Sequence, residues 1–123
     1  MKAAVLYEAN TPLRIEEVDV DEPRAGEVLV KMMASGVCHS DWHVVKGEWS
    51  HHKLPSILGH EGAGVVEAIG RDVTSVSPGA HVILSWKTSC GRCEMCQRGW
   101  VNLCDQSPTV ASKPNSLVTG SVL

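Results

Sequence analysis

The sequence lacks the features that would place the chain in a membrane, in a secretory pathway or on a nucleic acid. No apolar run approaches the roughly 18 to 20 residues that cross a bilayer, so we expect no membrane partner. The apolar segment Met1 to Tyr7 is followed by Glu8 and Asn10, which end it well short of a secretory signal. The formal net charge of -3 offers no basic surface for phosphate backbones, so we expect no nucleic-acid partner. Together these absences predict a soluble cytoplasmic protein.

What the sequence does contain is a dense cluster of cysteine. Four of its five cysteines fall within residues 90–104, and in a reducing compartment such clusters bind metal more often than they form disulfides. The spacing C-x2-C-x2-C-x7-C lets one compact lobe place four thiolates tetrahedrally around one ion. Zinc in a closed, structural site fits this ligand set best, and two disulfides or an iron–sulfur cluster are the alternatives. The predicted ligands are Cys90, Cys93, Cys96 and Cys104.

Hydrophobic patterning predicts a mainly β fold with little helix. Short alternating or β-branched runs separated by turn residues predict strands and, from their spacing, a small distorted barrel. A short helix is expected from its N-cap Ser40 to Lys46, where Gly47 ends it. From Gln106 onward the Ser, Thr and Pro content predicts a weak strand or a frayed end. The expected strands are 1–7, 13–20 at a sheet edge, 28–33 as a largely buried strand, 62–69 and 80–85.

A second group of metal-binding residue types is spread over two segments. Cys38 begins the run Cys-His-Ser-Asp-Trp-His, and His60 and Glu61 follow later within Gly-His-Glu-Gly. Each segment alone is weak evidence, because a lone cysteine is usually a small buried apolar residue and a lone histidine is more often structural than a ligand. Their presence beside a four-cysteine lobe strengthens the interpretation that they bind a second metal ion.

The sequence carries three motifs in a fixed order: GVCHSDWH, GHEGAGVV and the cysteine lobe. In this order and separation they resemble the N-terminal, GroES-like catalytic domain of the zinc-containing medium-chain alcohol dehydrogenases, from Lys2 to about Asp105. The resemblance implies one domain over 1–123, a distorted β-barrel with a protruding structural-zinc lobe at 90–104, without the family's C-terminal Rossmann domain. The chain has no phenylalanine and its end does not align with the family's later strands, so we expect an incompletely closed barrel.

The resemblance assigns a catalytic zinc ion to the second metal site. It implies that Cys38 and His60 are ligands and that Glu61 is a neighbouring carboxylate that can approach or temporarily ligate the metal. Asp41 would accept a hydrogen bond from the free ring nitrogen of His60, which fixes the ring and raises its basicity. The family's third ligand is a later cysteine, beyond the end of this chain.

A proton relay and a substrate pocket are also implied by the resemblance. Ser40 would hydrogen-bond the alcohol substrate, and His43 would pass its proton toward solvent. His39 occupies the position of a pyrophosphate contact. Trp49 occupies the position of an aromatic residue that narrows the pocket in yeast-like members, which favours small alcohols; the alternative is a tryptophan of the core.

The reaction implied by the resemblance is the oxidation of alcohols to aldehydes or ketones by zinc-assisted hydride transfer to NAD or NADP. The substrate would be a small alcohol or aldehyde, and the full-length enzyme a homo-oligomer, either a dimer or a tetramer. The dinucleotide fold is missing, because GHEGAG has the spacing G-x-x-G-x-G and leads into a strand, whereas a Rossmann turn needs G-x-G-x-x-G entering a helix. We therefore expect this chain alone to be inactive.

Two other functions use the same residues. A stand-alone zinc-binding or interaction module derived from this domain would need only the complete cysteine lobe to stabilise its fold. A zinc hydrolase with Glu61 as its base is a further hypothesis, but neither a third strong ligand nor a helical H-E-x-x-H motif supports it.

Overall fold

The computed structural model describes residues 1–49, 53–86 and 89–106. Within these ranges short strands predominate, and the predicted mainly β class with little helix is confirmed. The elements, in chain order, are β1 (Lys2–Leu6), β2 (Arg14–Glu17), β3 (Val28–Ser35), α1 (His39–Val45), β4 (Ser56–Ile57), β5 (Gly62–Ile69), β6 (His81–Ile83), α2 (Glu94–Gln97) and a 3-10 turn (Val101–Leu103).

The first sheet has the order β2–β1–β4 and supplies much of the buried core. Because successive side chains of a strand point to opposite faces, Ala3 and Val5 of β1 are buried together, and Leu6 is fully enclosed. β2 lies at a sheet edge, as predicted. β4 has no sequence signal of its own, because it consists of two residues, Ser56 and Ile57, that are strand only through their pairing with β1.

The second sheet has the order β3–β5–β6, with β5 in the middle. Val66 of β5 is buried, but β3 is an edge strand whose second half is exposed, and Met33 is 69% exposed. The prediction that this strand is largely buried is therefore wrong. Its apolar residues give a buried pattern, yet among the described residues β5 is the only strand that pairs with it.

The helix α1 forms where it was predicted, but it begins two residues earlier. Its N-cap is Cys38 and not Ser40, which lies inside the helix. At the other end, Gly47 adopts a φ of +71, a left-handed conformation that glycine tolerates and that ends a helix. The prediction that Gly47 stops the helix is confirmed.

The two sheets remain open: within the described ranges neither closes on itself, in agreement with an incompletely closed barrel. α2 contacts the 3-10 turn, and both of these short elements lie within the cysteine lobe, residues 90–104. In the part of the chain that the structure describes, no helix combines the length and the apolar character that a bilayer crossing requires. The weak strand or frayed end predicted after Gln106 lies outside the described residues.

Candidate metal centres

The two loops that carry the predicted catalytic ligands meet where the ladder between β3 and β5 ends. Its last pair joins the final residue of β3 to the first residue of β5. Beyond that pair, the Gly36 N–H still donates to the Glu61 carbonyl oxygen at 3.0 Å. Antiparallel pairing thus keeps the residues just after β3 beside those just before β5. Cys38 and His60 lie on these two extensions of the ladder.

The first centre consists of Cys38, His60 and Glu61. One ligand atom from each residue, a thiol sulfur, a ring nitrogen and a carboxylate oxygen, lies within 4.8 Å of the other two. A tetrahedral zinc ion would hold such atoms roughly 3 to 4 Å apart, so small side-chain movements would suffice for binding. Cys38 and His60 are half-buried and Glu61 is exposed. The residues therefore fit a zinc ion that keeps one side open.

Asp41 connects the two halves of this open centre. Its Oδ2 accepts the backbone N–H of Cys38 at 3.0 Å, a capping bond that helps make Cys38 the N-cap of α1. Its Oδ1 lies 3.5 Å from Nδ1 of His60, and both side chains are only 15% exposed. The contact leaves Nε2 of His60 to face a metal ion. One carboxylate thus orients the histidine and holds the backbone at the cysteine.

The second centre is the cysteine lobe, and the structure brings all four predicted ligands together. The sulfur atoms of Cys90, Cys93, Cys96 and Cys104 lie within 4.8 Å of one another, and none of the cysteines in the described ranges is in a disulfide. The distance between the Cys93 and Cys104 sulfurs is 3.9 Å. Four thiolates around one zinc ion lie about 3.8 Å apart, so the lobe has the dimensions of a single tetrahedral ion.

Backbone donors and burial shift the pKa values of two thiols of the lobe in opposite directions. The N–H groups of Arg92 and then of Cys93 stabilise the thiolate of Cys90 and lower its pKa to about 6. Burial, followed by the contact with Cys93, raises the pKa of Cys96 to about 12. Local N–H···S bonds of this kind, such as Cys96 N–H to Cys93 Sγ at 3.5 Å, arise because the turns at 90–96 fold the backbone around the sulfurs.

A comparison with protein families identifies the domain that holds both centres. The family model of the alcohol dehydrogenase GroES-like domain matches residues 24–121. The chain belongs to the alcohol dehydrogenase GroES-like domain family. The matched region starts before β3 and includes every residue of the two metal centres. The predicted family and the predicted GroES-like fold are confirmed.

Relatives of this GroES-like domain are full dehydrogenases of greater length. An alcohol dehydrogenase from Moraxella sp. (strain TAE123) is 50% identical over 107 residues, which are 85% of this chain and 32% of the relative. A solved alcohol dehydrogenase zinc-binding domain protein from Burkholderia ambifaria superimposes with a TM-score of 0.77 at 43% identity, covering 85% of this chain and 28% of that protein. A solved NAD-dependent alcohol dehydrogenase gives a TM-score of 0.73 at 37% identity, covering 90% and 33%. The chain therefore spans about a third of the proteins it resembles.

The predicted relay residues of this GroES-like domain occupy one side of α1. Ser40 Oγ lies 3.4 Å from Nε2 of His60, at the open centre. His43 follows three residues later, a spacing that puts two side chains on the same helical face. His39 meets the His43 ring edge-on, and Trp49 stacks on it. The predicted pocket residue Trp49 thus lies directly against the predicted relay histidine.

One residue at the open centre has no counterpart in the sequence prediction. The ring of Trp86, just after β6, stacks on the ring of His60 with centroids 4.3 Å apart and planes at 29°. Trp86 is 42% exposed, so it forms an apolar wall that still faces solvent. The only signal in the sequence is that Trp86 is a large aromatic residue four positions before the first cysteine of the lobe.

Proposed function

We propose that this GroES-like domain is the zinc-binding catalytic part of an alcohol dehydrogenase, which oxidises small alcohols to aldehydes or ketones by hydride transfer to NAD or NADP. The observation that carries the proposal is the open centre, where Cys38, His60 and Glu61 converge on one point while Asp41 orients the histidine. A separate four-cysteine centre supports it, because a closed sulfur shell leaves all reactivity to the other centre.

The ligand chemistry divides the work between two ions. Cys38 and His60 would hold the catalytic zinc, with Glu61 able to approach it, and Cys90, Cys93, Cys96 and Cys104 would hold the structural zinc. When bound, the catalytic ion would act as a Lewis acid that makes the hydroxyl of an alcohol more acidic. Asp41 would keep the His60 ring in one tautomer throughout, so that Nε2 remains the donor to the metal.

The chain's own residues would move the proton that the alcohol loses. The Ser40 hydroxyl lies beside the metal-facing nitrogen of His60, so it can accept a proton from the substrate while it donates its own. His43 is the next acceptor along α1, and its side chain is 35% exposed, which lets a proton reach water. His39, whose ring contacts that of His43 on the same helix, would contact the pyrophosphate of the dinucleotide.

The size of the substrate would be set by tryptophan. Trp86 forms one wall at His60, and Trp49 forms another at the outer end of the relay. Large flat rings beside His60 and beside His43 would favour small alcohols or aldehydes over bulky ones, because they take up space next to the open centre and the relay. We also propose a single domain over 1–123, a cytoplasmic location, a homo-oligomeric complete enzyme, and no nucleic-acid or membrane partner.

A chimera tests the proposed reaction. This chain would replace the equivalent segment of the Moraxella alcohol dehydrogenase, to which it is 50% identical, and alcohol-dependent reduction of NAD and of NADP would be measured. We expect turnover, and a loss of about 10²- to 10⁴-fold in kcat for Ser40→Ala, since that range is typical of a removed acid–base group. Ser75→Ala, in an exposed turn, is the matched control and should be neutral. A folded chimera that holds both zinc ions but shows no turnover would refute the proposal.

The second candidate function is a zinc-binding or interaction module, and the completeness of the four-cysteine centre favours it. Zinc binding and dinucleotide reduction by the isolated chain distinguish the dehydrogenase function from the module. As the catalytic part of a larger enzyme, it should bind one zinc ion tightly and a second weakly, and it should reduce neither NAD nor NADP with alcohol. A module needs no second zinc ion, so strict one-to-one binding would favour it. Alcohol-dependent turnover by the isolated chain would contradict both expectations.

A further inference from the structure

The turn that ends α1 brings Glu48 back over the helix. After the C-cap Lys46, the N–H of Gly47 donates to the Val44 carbonyl oxygen at 3.0 Å. The next N–H, that of Glu48, donates to the His43 carbonyl oxygen at 2.9 Å. These two bonds are those of a Schellman motif, which satisfies the last carbonyls of a helix. The backbone alone therefore places Glu48 beside His43.

Both oxygens of the Glu48 carboxylate have partners. Oε1 accepts from Nζ of Lys46 at 2.8 Å, and Oε2 contacts Nδ1 of His43. The hydrogen bond from Lys46, and next the one from His43, lower the pKa of Glu48 to about 2, so the carboxylate is ionised at neutral pH. An ionised carboxylate accepts hydrogen bonds and donates none. In this contact a neutral His43 ring must therefore carry its hydrogen on Nδ1.

The His43 ring is held on two further sides. The Trp49 ring stacks on it, with centroids 5.4 Å apart and planes at 17°. The His39 ring meets it edge-on, with centroids 4.8 Å apart and planes at 73°. Among the described residues, the charged or titratable groups around His43 are thus His39 from its own helix and Lys46 and Glu48 from the turn. Together these contacts fix the plane of the ring, so the direction of Nε2 is also fixed.

We propose that Glu48 is the positioning residue of the proton relay: by accepting the Nδ1 hydrogen of His43, it holds the ring in the tautomer whose Nε2 is free to accept a proton. This role rests on the proposed function, because only a relay needs an acceptor nitrogen there. A proton taken up at Nε2 makes the ring a cation beside the carboxylate, which stabilises it. The ring returns to its neutral tautomer when Nε2 releases that proton to water.

The tautomer of His43 tests this inference directly. Nitrogen NMR of the zinc-loaded chain, labelled with 15N-histidine, distinguishes a protonated from an unprotonated ring nitrogen at a pH where the ring is neutral. We expect Nδ1 to be protonated and Nε2 unprotonated. Glu48→Ala should lose this pattern in favour of the Nε2–H form that free histidine prefers. Glu48→Gln keeps an acceptor oxygen and should restore it, and Lys46→Ala, the matched control, should leave it unchanged.

The outcomes separate this inference from the proposed function. A Glu48→Ala chain that keeps the wild-type tautomer would overturn the inference, as would a Glu48→Gln chain that fails to restore it. The turn itself should survive, because its two backbone bonds do not use the Glu48 side chain, and an unchanged His81 signal in β6 would verify the fold. The tautomer is measured without substrate or dinucleotide, so a failure of the chimera to turn over alcohol would refute the function and not the positioning by Glu48.

Discussion

The two metal centres are built in opposite ways. The cysteine lobe takes all four ligands from one stretch, residues 90–104, and closes the shell with sulfur. The open centre takes Cys38 from one side of a strand ladder and His60 and Glu61 from the other. In the lobe the metal ion itself would hold the loops together. In the open centre the strands hold the ligands in place, and the Asp41 carboxylate orients the His60 ring.

This difference separates stability from reactivity. A closed four-thiolate shell can contribute folding free energy, but it has no position left for a substrate. The open centre has a mixed ligand set, an exposed carboxylate and a relay beside it, so it depends on a scaffold that is already folded. We therefore expect mutations in the lobe to act on folding, and mutations at the open centre to act on metal affinity while leaving the fold intact.

Removing one sulfur from each centre is the strongest test of this comparison. Cys104→Ser should remove the lobe zinc and unfold residues 90–104, because a hydroxyl is a poor replacement for thiolate and structural zinc sites contribute about 10 to 16 kcal/mol in small peptides. Cys38→Ser should remove only the other ion. Zinc analysis after dialysis, together with amide NMR of the lobe, would measure both effects. Equal loss of lobe structure in the two variants would contradict the assignment.

Replacing Asp41, the carboxylate that orients His60, should have an effect of intermediate size. Asp41→Asn leaves one acceptor oxygen where the carboxylate uses two, one toward Cys38 and one toward His60. We expect zinc to bind the open centre about 10- to 100-fold more weakly, the usual cost of losing such a partner, and to bind the lobe unchanged. Competition with a coloured chelator would measure both affinities. Asp72→Asn, at an exposed turn, is the matched control, and an equal loss there would refute the role of Asp41.

The zinc affinity of the lobe should depend on pH, because the pKa values of Cys90 and Cys96 differ. Zinc binds thiolates, and the pKa of Cys96 is raised to about 12, so binding at neutral pH must displace the proton of that thiol. The pKa of Cys90 is lowered to about 6, so its proton is displaced only below that pH. The affinity of the lobe should thus rise about tenfold per pH unit for each displaced proton, with a steeper slope below about pH 6. Chelator competition with the Cys38→Ser chain isolates this effect, and a flat profile would contradict it.

The lobe was predictable from sequence because its information is local. Cysteine spacing within one stretch identifies four ligands without any knowledge of the fold. The open centre was predictable only in part, since its geometry comes from the register of β3 against β5. Trp86 was missed because its contact with His60 joins residues from different loops. The role of Cys38 as N-cap was missed because cysteine is not one of the usual cap residues, and the bond that marks this helix start runs the other way, from the Cys38 N–H to the Asp41 carboxylate three residues on.

The prediction of strands has the same limit, because the local sequence does not show which strands pair. β1 and β5 were predictable because each is a short apolar run, rich in β-branched residues in β5, that supplies buried side chains. β3 has apolar residues on both faces, which predicts a buried strand, but its position at the sheet edge leaves Met32 and Met33 exposed. Hydrophobic content shows which side chains could be covered. Whether they are covered depends on which strands pair, and that information lies in contacts between distant parts of the chain.

The smallest expected effect concerns the space that Glu61 occupies. Gly36 follows the last paired residue of β3, and its N–H donates to the Glu61 carbonyl oxygen. A Cβ at this position would overlap Oε2 of Glu61. Gly36→Ala should therefore push the carboxylate out of its present position and weaken zinc binding at the open centre by less than about tenfold, the low end of such effects. The same substitution in a Glu61→Ala chain should cost much less, because Oε2, the atom that overlaps most, is gone. Chelator competition would measure zinc affinity in the wild type, in the two single variants and in the double variant, which gives the coupling energy between Gly36 and Glu61. Additive effects would show that Gly36 acts on the open centre by some route other than Glu61.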